Sequence, residues 1–566
     1  MKSPPSAPRP VWQHTMLLVL AAAIIVPRLA PVSHFLTIDE HGWLIRSLKF
    51  QIAIRQGELV DTYQARHPGV TTMGLGALAL LWEFPEAADL ADDGIGVGDF
   101  EAFLVENGHT PLDLLVKGRL LIVVATTVAL LASFSCARRL FGWQTASLAF
   151  LLLAFSPFHA AHTQILHVDG LMSNLVLLAL LSFLLHLRTR RALHLAISGA
   201  SAGLAWLTKS PGIFLGPAVA LIALFDWFVS SRSALGADRL GARQGVVQGV
   251  LTILAWGSIA LLVFVAFWPA MWVSPVEVVK NMAEGALALA EHGHPTPIFF
   301  KGRVYPEGQL GPLFYPLSYA WRTTPVVSAG LLLGILMFVA WRRELSDCAR
   351  FSLMGVVIFA AAFLLQLTLS GKKFDRYLLP LFGPLMLIAS HGWVEGTSWL
   401  TTRMNVGRPP RVAAALLSIV VALQGWTLLR SFPYYLSYFT PLLGGPEAAT
   451  EVFTVGWGEG LDAAARYLNG KPNATGLRVV SWYSPCLSYF FVGSTLNVPN
   501  AADISPEHLD FLLQADYLVS YVHQWQRDIP KSLVHALTDR TPEYAFSFRG
   551  IPYAQVYDLH RDAAIR

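Results

Sequence analysis

The stretch Leu17–Trp43, "LLVLAAAIIVPRLAPVSHFLTIDEHGW", joins an apolar run to two adjacent carboxylates. The apolar part, residues 16–30, lacks a convincing small-x-small cleavage site, so it predicts a retained membrane span rather than a removed signal peptide. Asp39 and Glu40 then stand where this first helix leaves the membrane. Carboxylates at the mouth of a membrane helix need a reason, and the remaining charges of the chain indicate one.

The composition of the whole chain predicts a polytopic membrane protein. Of its 566 residues 54% are hydrophobic and only 14% are charged, and the mean hydropathy is +0.50. A soluble protein of this length would need more charge to cover its surface. The cysteines are odd in number and widely spaced, so neither a disulfide framework nor a zinc motif is indicated.

Windows of about 20 apolar residues, each long enough to cross a hydrocarbon core of about 30 Å, predict about eleven membrane helices. They lie near residues 14–33, 115–137, 144–160, 170–187, 194–209, 211–229, 246–272, 326–341, 351–370, 377–395 and 411–430.

The distribution of charge between the loops predicts the orientation of these helices. Arginines gather in every second loop, as they do in cytoplasmic loops. The first outer loop, residues 34–113, instead holds thirteen Asp or Glu and four Lys or Arg. We therefore predict an integral multi-pass protein of the cell (plasma or inner) membrane, with a cytoplasmic N-terminus at residues 1–13 and an extracytoplasmic C-terminus.

Three predicted outer segments are too long to be simple connections: residues 34–113, 273–325 and 431–566. In the last of them the apolar runs give way to short elements. "LRVVSWY" and "DYLVSYV" predict strands, "GLDAAARYLN" a helix, and "AFSFRGIPYAQVYDL" a final hairpin. The fold class is thus an α-helical membrane domain, residues 14–430, followed by a small extracytoplasmic α/β domain, residues 431–566.

Two clusters of polar residues fall in the first outer loop. Asp39 and Glu40 either begin a short helix as its cap or supply a general base, whose proton affinity partial desolvation near the bilayer would raise. Arg66 and His67 precede the Pro-Gly turn of "ARHPGVTTMGLGALALLW". They are either part of the turn before an interfacial helix or contacts to a substrate.

Two further clusters lie at predicted helix ends on the same side. In "HTQILHVDGLMSNL", His162, His167 and Asp169 flank the start of a predicted span. They either include a structural hydrogen-bonded pair, such as His162 with Asp169, or belong to a site, and the spacing does not match a metal motif. The cationic set is explained either by snorkelling side chains or by a bound anion. The positive-inside rule counts against snorkelling, because this side should lack cations. The set comprises Lys209, Lys372, Lys373 and Arg376, with Tyr377 beside it.

Together the clusters indicate one site. A base above the membrane, cations at its edge and apolar grooves between helices fit a lipid-phosphate substrate whose head group passes to an acceptor outside. No nucleic-acid partner is expected.

The ordered motifs resemble a known family. The chain has "DE" after the first span, "RHPG" in the first outer loop, then "FSPFHAAHTQILHVDGLMSNL", "GLAWLTKSPGIFLGPAVAL" and "KKFDRYLLPLFGPL". This order, over residues 14–430, is similar to that of the GT-C superfamily of membrane glycosyltransferases. The similarity is greatest to glycosyltransferase family 39, which includes dolichyl-phosphate-mannose–protein mannosyltransferases and the aminoarabinose transferases of lipid A.

The resemblance implies an inverting transfer from a polyprenyl-phosphate sugar to a hydroxyl of a glycan, lipid or protein acceptor, within a membrane environment. By position, it makes residues 14–430 the catalytic domain, Asp39 the base and Glu40 the group that orients a substrate. It also puts Lys209 and the basic run 372–376 near the donor phosphate.

One departure from the family bears on the first outer loop. The aminoarabinose enzymes have Lys-Pro-Pro where this chain has His67-Pro68-Gly69, and a histidine does not replace a fixed ammonium charge. No cofactor is required if lysine and arginine neutralise the phosphate, although Asp39, Glu40 and His67 offer ligands for a divalent ion. A secondary transporter and a non-catalytic protein of the GT-C fold remain alternatives. Midplane charges would favour the transporter, and widely separated clusters the non-catalytic protein.

Overall fold

The computed structural model describes residues 11–65, 67–91, 94–96, 99–233, 239–292, 297–306, 308–341, 347–405 and 408–560. Up to the second outer segment its helices are α1 Val11–Leu29, α2 Ile38–Gln56, α3 Val70–Glu83, α4 Ala87–Leu90, α5 Asp99–Glu106, α6 Pro111–Ala154, α7 Pro157–His162, α8 Val168–Thr189, α9 Ala192–Thr208, α10 Leu215–Ser233, α11 Arg239–Ala266, α12 Ala270–Val273 and α13 Pro275–His292.

The remaining elements begin with a two-stranded hairpin and end with a sheet. They are β1 Ile298–Phe300, β2 Arg303–Tyr305, α14 Phe314–Arg322, α15 Pro325–Trp341, α16 Asp347–Leu369, α17 Leu379–Arg403, α18 Pro409–Leu429, α19 Gly445–Ala449, α20 Leu461–Asn469, β3 Arg478–Ser481, α21 Ser484–Ser488, β4 Ser494–Asn497, α22 Pro506–Leu513, β5 Tyr517–Tyr521, α23 Val522–Arg527, α24 Lys531–Thr538, β6 Tyr544–Phe548 and β7 Ile551–Asp558.

All eleven apolar segments predicted from the sequence lie on helices, but fewer helices are separate spans by length and composition. Among the described residues seven helices are long and apolar enough to cross a membrane, or eight if the pair α14 and α15, bent by 116°, is one span. Two predicted spans merge in the 44-residue helix α6, which is interrupted at Gly142 with φ +81°. The apolar parts of α1 and α9 are only 17 residues long. The chain is an α-helical polytopic membrane protein.

Helix α8 forms the centre of the helical part, and 94% of its apolar window is buried. Small residues on neighbouring helices let them approach it closely. A methyl group added to Gly383 of α17 would lie 2.6 Å from Leu177, and one added to Gly355 of α16 would lie 2.4 Å from Leu184. Dispersion contacts of this kind hold helices together in lipid, where the hydrophobic effect between helices is absent.

The C-terminal part contains a five-stranded sheet in the order β4-β3-β5-β7-β6. The strands β4, β3 and β5 run parallel, and the hairpin β6–β7 adds to β5 in the antiparallel direction. In β3, Val480 pairs with Leu496 on one side and Leu518 on the other, so apolar side chains line the centre. The predicted strands, helix and hairpin all occur here, whereas β4 was not predicted.

The C-terminal part packs against both earlier outer segments. The N–H of Lys301, after β1, donates to the carbonyl of Val452, and Phe300 forms an isolated antiparallel bridge with Phe453. Gly458 lies against the first segment, because a methyl group added there would lie 2.1 Å from the carbonyl oxygen of Leu36. This contact brings the C-terminal residues to the mouth of α2.

Candidate functional site

Four helices of the membrane part begin or end at the candidate site. Helix α8 begins there with Asp169 as its second residue, and α9 ends one residue before Lys209. Helix α16 ends at Leu369, and a short turn carrying Arg376 leads from there into α17. The predicted polar clusters therefore share one end of the helix bundle, although they are far apart in sequence.

Asp39 lies in the first turn of α2, two residues after the cap residue Thr37. Its Oδ2 lies 3.3 Å from Nε2 of His167 and 3.5 Å from an Nη of Arg376. The side chain keeps 37% of its surface exposed, which leaves a path for a substrate. The acidic side of the site and its cationic side thus meet at one carboxylate.

The surroundings of Asp39 keep it ionised. Burial would raise the pKa of this carboxyl, but the hydrogen bond from His167 and the charges of Arg376 and Lys209 outweigh it and hold the pKa below its ordinary value. Desolvation thus acts in the predicted direction, but the neighbouring cations and His167 reverse the net shift, so the expected rise in the proton affinity of Asp39 does not occur. The carboxylate is present at neutral pH, and its basicity depends on how strongly its cationic neighbours act on it.

Glu40 has a different position from the one that the sequence predicted. It is fully buried and accepts hydrogen bonds from Nε and Nη2 of Arg119 at 2.7 and 2.6 Å. The backbone N–H groups of Thr37 and Leu166 also donate to it, at 3.0 and 2.9 Å. Both oxygens are occupied, so Glu40 fixes the start of α2 against α6 and the loop before α8. The structure thus gives Glu40 structural partners in place of the predicted substrate-orienting contact.

His167 and Asp169 connect Asp39 to the cations. The Nδ1 of His167 lies 3.3 Å from Oδ2 of Asp169 and accepts the Asp169 N–H at 3.4 Å, so its Nε2 is the atom that donates to Asp39. Asp169 is fully buried and pairs through Oδ1 with Lys209 at 2.5 Å and through Oδ2 with Nε of Arg376 at 3.3 Å. Asp169 thereby orients both cations.

Three of the predicted cations converge here, and they differ in burial and in how many carboxylates they contact. Lys209 is almost fully buried, and its Nζ lies 4.1 Å from the centre of the Tyr377 ring. Arg376 contacts both Asp39 and Asp169, and its guanidinium lies 4.7 Å from the ring centre of Trp457. Lys372 forms no ion pair with any residue in the described ranges. Burial and the nearby charges of Lys209 and Arg376 lower the pKa of Lys372 to about 8.

Lys373 lines the cavity described below, whereas Tyr377 is not among the residues that line it. The Nζ of Lys373 donates to the carbonyl of Thr368 at 2.9 Å and to that of Ser370, so its charge caps the end of α16. Tyr377 is buried under Lys209 and supports that ammonium group. Tyr377 is therefore corrected to a supporting position, while a substrate contact of Lys373 stays a prediction.

His67 lies beside the cations, whereas Arg66 lies outside the described residues. The Nδ1 of His67 is 3.3 Å from Oγ of Ser210, and burial together with the charges of Lys209 and Lys372 lowers the pKa of His67 to about 3. His67 is thus neutral. Gly69 explains part of the departure from Lys-Pro-Pro, because its φ of +66° is closed to proline and an added methyl would lie 2.4 Å from Trp43.

The alternative metal site is not assembled. In the described part of the chain no three His, Cys, Asp or Glu side chains are grouped to hold an ion. The carboxylate of Glu40 pairs with Arg119. It is therefore not directed to the same place as Asp39, with which it was expected to bind a divalent ion.

A cavity of about 330 Å³ opens from Asp39 and Arg376 towards the C-terminal part. Its size lies at the lower end of the range of roughly 300–1,000 Å³ for small-molecule sites. Residues that the sequence did not predict line the cavity, among them Arg322, Trp457, Glu459, Tyr483, His523 and Arg527.

Trp457 reaches the cluster from a glycine-rich turn. Gly456, Gly458 and Gly460 all have positive φ, at +93°, +127° and +83°. The indole lies 5.1 Å from the ring of His167, centre to centre, in an edge-to-face arrangement. The signal in the sequence was "VGWGEG", since three glycines around one aromatic residue indicate a backbone that ordinary residues cannot form.

Residues 113–237 match a known family. Their sequence fits the family described as dolichyl-phosphate-mannose-protein mannosyltransferase, so the predicted resemblance is confirmed over this segment. Among curated proteins none matches the chain.

Several solved structures are similar to this one. ArnT from Cupriavidus metallidurans bound to undecaprenyl phosphate has 16% identity and a TM-score of 0.48, with 96% of this chain and 97% of that chain covered. The archaeal oligosaccharyltransferase AglB from Archaeoglobus fulgidus has 13% identity and a TM-score of 0.46, with 97% and 74% covered. The Pmt1-Pmt2 complex of S. cerevisiae has 14% identity and a TM-score of 0.36, with 52% and 39% covered.

Proposed function

We propose that this protein is an inverting membrane glycosyltransferase. It moves a monosaccharide from a polyprenyl-phosphate donor to a hydroxyl acceptor on the outer side of the membrane. The observation that carries the proposal is the convergence of one accessible carboxylate, Asp39, with Lys209, Lys372 and Arg376 at one end of the helices. The family match over residues 113–237 supports the same chemistry.

Asp39 acts as the general base in this proposal. It takes the proton of the acceptor hydroxyl while that oxygen attacks the anomeric carbon of the sugar. The bond from the anomeric carbon to the phosphate oxygen breaks, and the polyprenyl phosphate leaves with the electron pair. Attack from the side opposite the phosphate inverts the configuration, as a single displacement requires.

The cations stabilise the leaving phosphate, on which negative charge grows as the bond breaks. Arg376 offers a planar fork, and Lys372 offers a point charge that forms no ion pair with a carboxylate of the described residues. When phosphate draws these charges away from Asp39, their pull on the carboxylate weakens and its proton affinity rises. Asp39 is therefore a stronger base with the donor bound than without it.

The position of the cluster supports the proposed side of the membrane. The cations would break the positive-inside pattern unless they served a purpose at the outer face. The outer segments and the C-terminal sheet close over this end of the bundle and provide a chamber for the acceptor. We therefore propose that the N-terminus lies in the cytoplasm and residues 431–566 lie outside.

Lipid analysis of a deletion strain tests the proposal. Mass spectrometry should detect a polyprenyl-phosphate sugar that accumulates when the protein is absent and returns to the parental level when the wild-type chain is supplied. Asp39→Asn should fail to restore that level. The control is Asp61→Asn, at an exposed position in the same segment 34–113, and it should restore the level. An unchanged set of polyprenyl-phosphate sugars in the deletion strain would contradict the proposed donor.

A further inference from the structure

The cavity reaches the edge of the C-terminal sheet at which its parallel strands end. Tyr483 follows β3 by two residues, His523 follows β5 by two, and Asn500 follows β4 by three. These three strands are the parallel ones, in the order β4-β3-β5. In open α/β sheets ligands bind outside the carboxyl ends of the strands. The sheet therefore offers a binding edge to the same cavity that Asp39 opens into.

Arg527 lines this part of the cavity and carries a charge without a partner of opposite sign. Only 8% of it is exposed, and no carboxylate in the described ranges forms an ion pair with it. Its guanidinium donates to the carbonyl of His523 at 3.3 Å and to that of Pro297 at 3.5 Å. A buried cation with only neutral partners is costly, and an anion beside it removes that cost.

The other cationic side chains of the cavity are already paired or occupied. Arg322 is held by Asp375 at 2.7 Å, and Arg376 contacts two aspartates. Lys373 donates to backbone carbonyls. Among the described cations that line the cavity, Lys373 and Arg527 are thus the two without a carboxylate partner, and Arg527 is the one of the two that lies at the sheet edge.

Glu459, the remaining carboxylate of the cavity, is turned away from Arg527. It accepts the N–H of Trp457 at 2.5 Å and the hydroxyl of Tyr521 at 3.3 Å. Both hydrogen bonds are accepted by Oε2, and no ion pair joins Glu459 to Arg527 in the described residues. Burial raises the pKa of Glu459.

Tyr483 and His523 complete a polar group around Arg527. The Tyr483 hydroxyl lies 3.0 Å from Nδ1 of His523, and an Nη of Arg527 lies 3.4 Å from the same atom. Tyr483 has a φ of +57°, which is uncommon for a residue with a bulky side chain and marks functional sites more often than ordinary loops. Burial, with Arg527 nearby, keeps the pKa of His523 well below its ordinary value, so His523 is neutral.

We propose that Tyr483, His523 and Arg527 form a subsite that binds an anionic group of the acceptor, namely the phosphate or carboxylate of a charged glycan. This inference rests on the proposed function, because it names the acceptor class for the same cavity. The anionic group anchors the acceptor at the sheet edge, and the hydroxyl to be glycosylated then extends towards Asp39.

Binding of small sugars to the full-length protein in detergent tests the subsite. The protein is first saturated with undecaprenyl phosphate, so that its donor cations are occupied. Glucosamine 1-phosphate and glucuronate serve as anionic probes that separate phosphate from carboxylate, and N-acetylglucosamine is the neutral control. Wild type should prefer at least one anionic probe over the neutral sugar by roughly tenfold or more, the range expected for a charge-assisted hydrogen bond.

Variants assign this preference to Arg527. Arg527→Gln should abolish it, Arg527→Lys should keep part of it, and both should bind undecaprenyl phosphate as wild type does. A wild-type protein without charge preference, or Arg527→Gln with the full preference, overturns the subsite. The first of these outcomes is decisive even if the variants do not fold. Failure of wild type to bind undecaprenyl phosphate would instead contradict the proposed function, and the probes alone would then decide the subsite.

Discussion

The charge of Lys372 makes donor binding depend on pH. Its pKa of about 8 means that about nine-tenths of the molecules carry the ammonium charge at pH 7 and about one-tenth at pH 9. The second pKa of a phosphate monoester is about 6, so the ligand does not change charge above pH 7.5. Arg376 and the aspartates around Lys372 also keep their charge in this range. Burial also lowers the pKa of Lys209, so the Lys372→Arg control described below is needed to separate the titration of Lys372 from that of Lys209.

The direction and size of the effect follow from this titration. The charged lysine binds phosphate, so the affinity for undecaprenyl phosphate should be nearly constant below pH 8. Above pH 8 it should fall by about tenfold per pH unit. The fall ends when the contribution of Lys372, about 1.5–3 kcal/mol for a hydrogen bond to a charged group, is exhausted. The total loss is then roughly tenfold to 100-fold.

Calorimetric titration of undecaprenyl phosphate into the detergent-solubilised protein measures this loss. Lys372→Arg is the matched control, because arginine stays charged across the range and should remove the pH dependence. Lys372→Gln should bind weakly at every pH. A decline in Lys372→Arg equal to that of wild type, or a flat wild-type profile, would refute the assignment of Lys372 to the phosphate.

Three further substitutions test other parts of the account. Arg376→Ala should impair use of the donor more than use of the acceptor in steady-state kinetics, and an unchanged donor KM and kcat would remove Arg376 from the phosphate site. Glu40→Gln should lower the free energy of unfolding by about 3–5 kcal/mol in thermal denaturation, because it leaves the buried Arg119 charge unpaired; a shift near zero would show that this ion pair is not structural. Gly458→Ala should loosen the C-terminal part from residues 34–113 and speed its proteolysis, since the added methyl would meet the carbonyl of Leu36. Gly470→Ala, at a helix end with ordinary φ, is the control and should not speed proteolysis. Equal cleavage of the two variants would contradict this contact.

Much of the helical architecture was predictable because apolar runs are a strong local signal. Each predicted span became helix, and the strands β3 and β5 and the hairpin β6–β7 lie where alternating patterns predicted them. The number of separate spans was harder to predict. Gly142 interrupts α6 without ending it, and α14 and α15, which two residues separate, are bent by 116°, which no hydropathy window detects.

The candidate site was predictable where charge violated an expectation, as for Asp39, Lys209 and Arg376. The role of a residue was not predictable where it depends on a contact with a residue distant in sequence. Glu40 stands next to Asp39 in sequence, but one helical position turns it from the cavity to Arg119. Trp457 and Arg527 were missed because their importance arises from the docking of the C-terminal part on the bundle. That contact between distant segments leaves little local trace.

A single-turnover assay of Asp39→Asn in proteoliposomes tests the central claim most directly. Vesicles are loaded with the polyprenyl-phosphate sugar identified in the deletion strain and with that strain's extracted acceptor, and released polyprenyl phosphate is measured. Wild type should release it, while Asp39→Asn should bind the donor with wild-type affinity and release none beyond the protein-free rate. Release by Asp39→Asn at the wild-type rate would contradict the claim that this carboxylate and the cations around it form one catalytic centre.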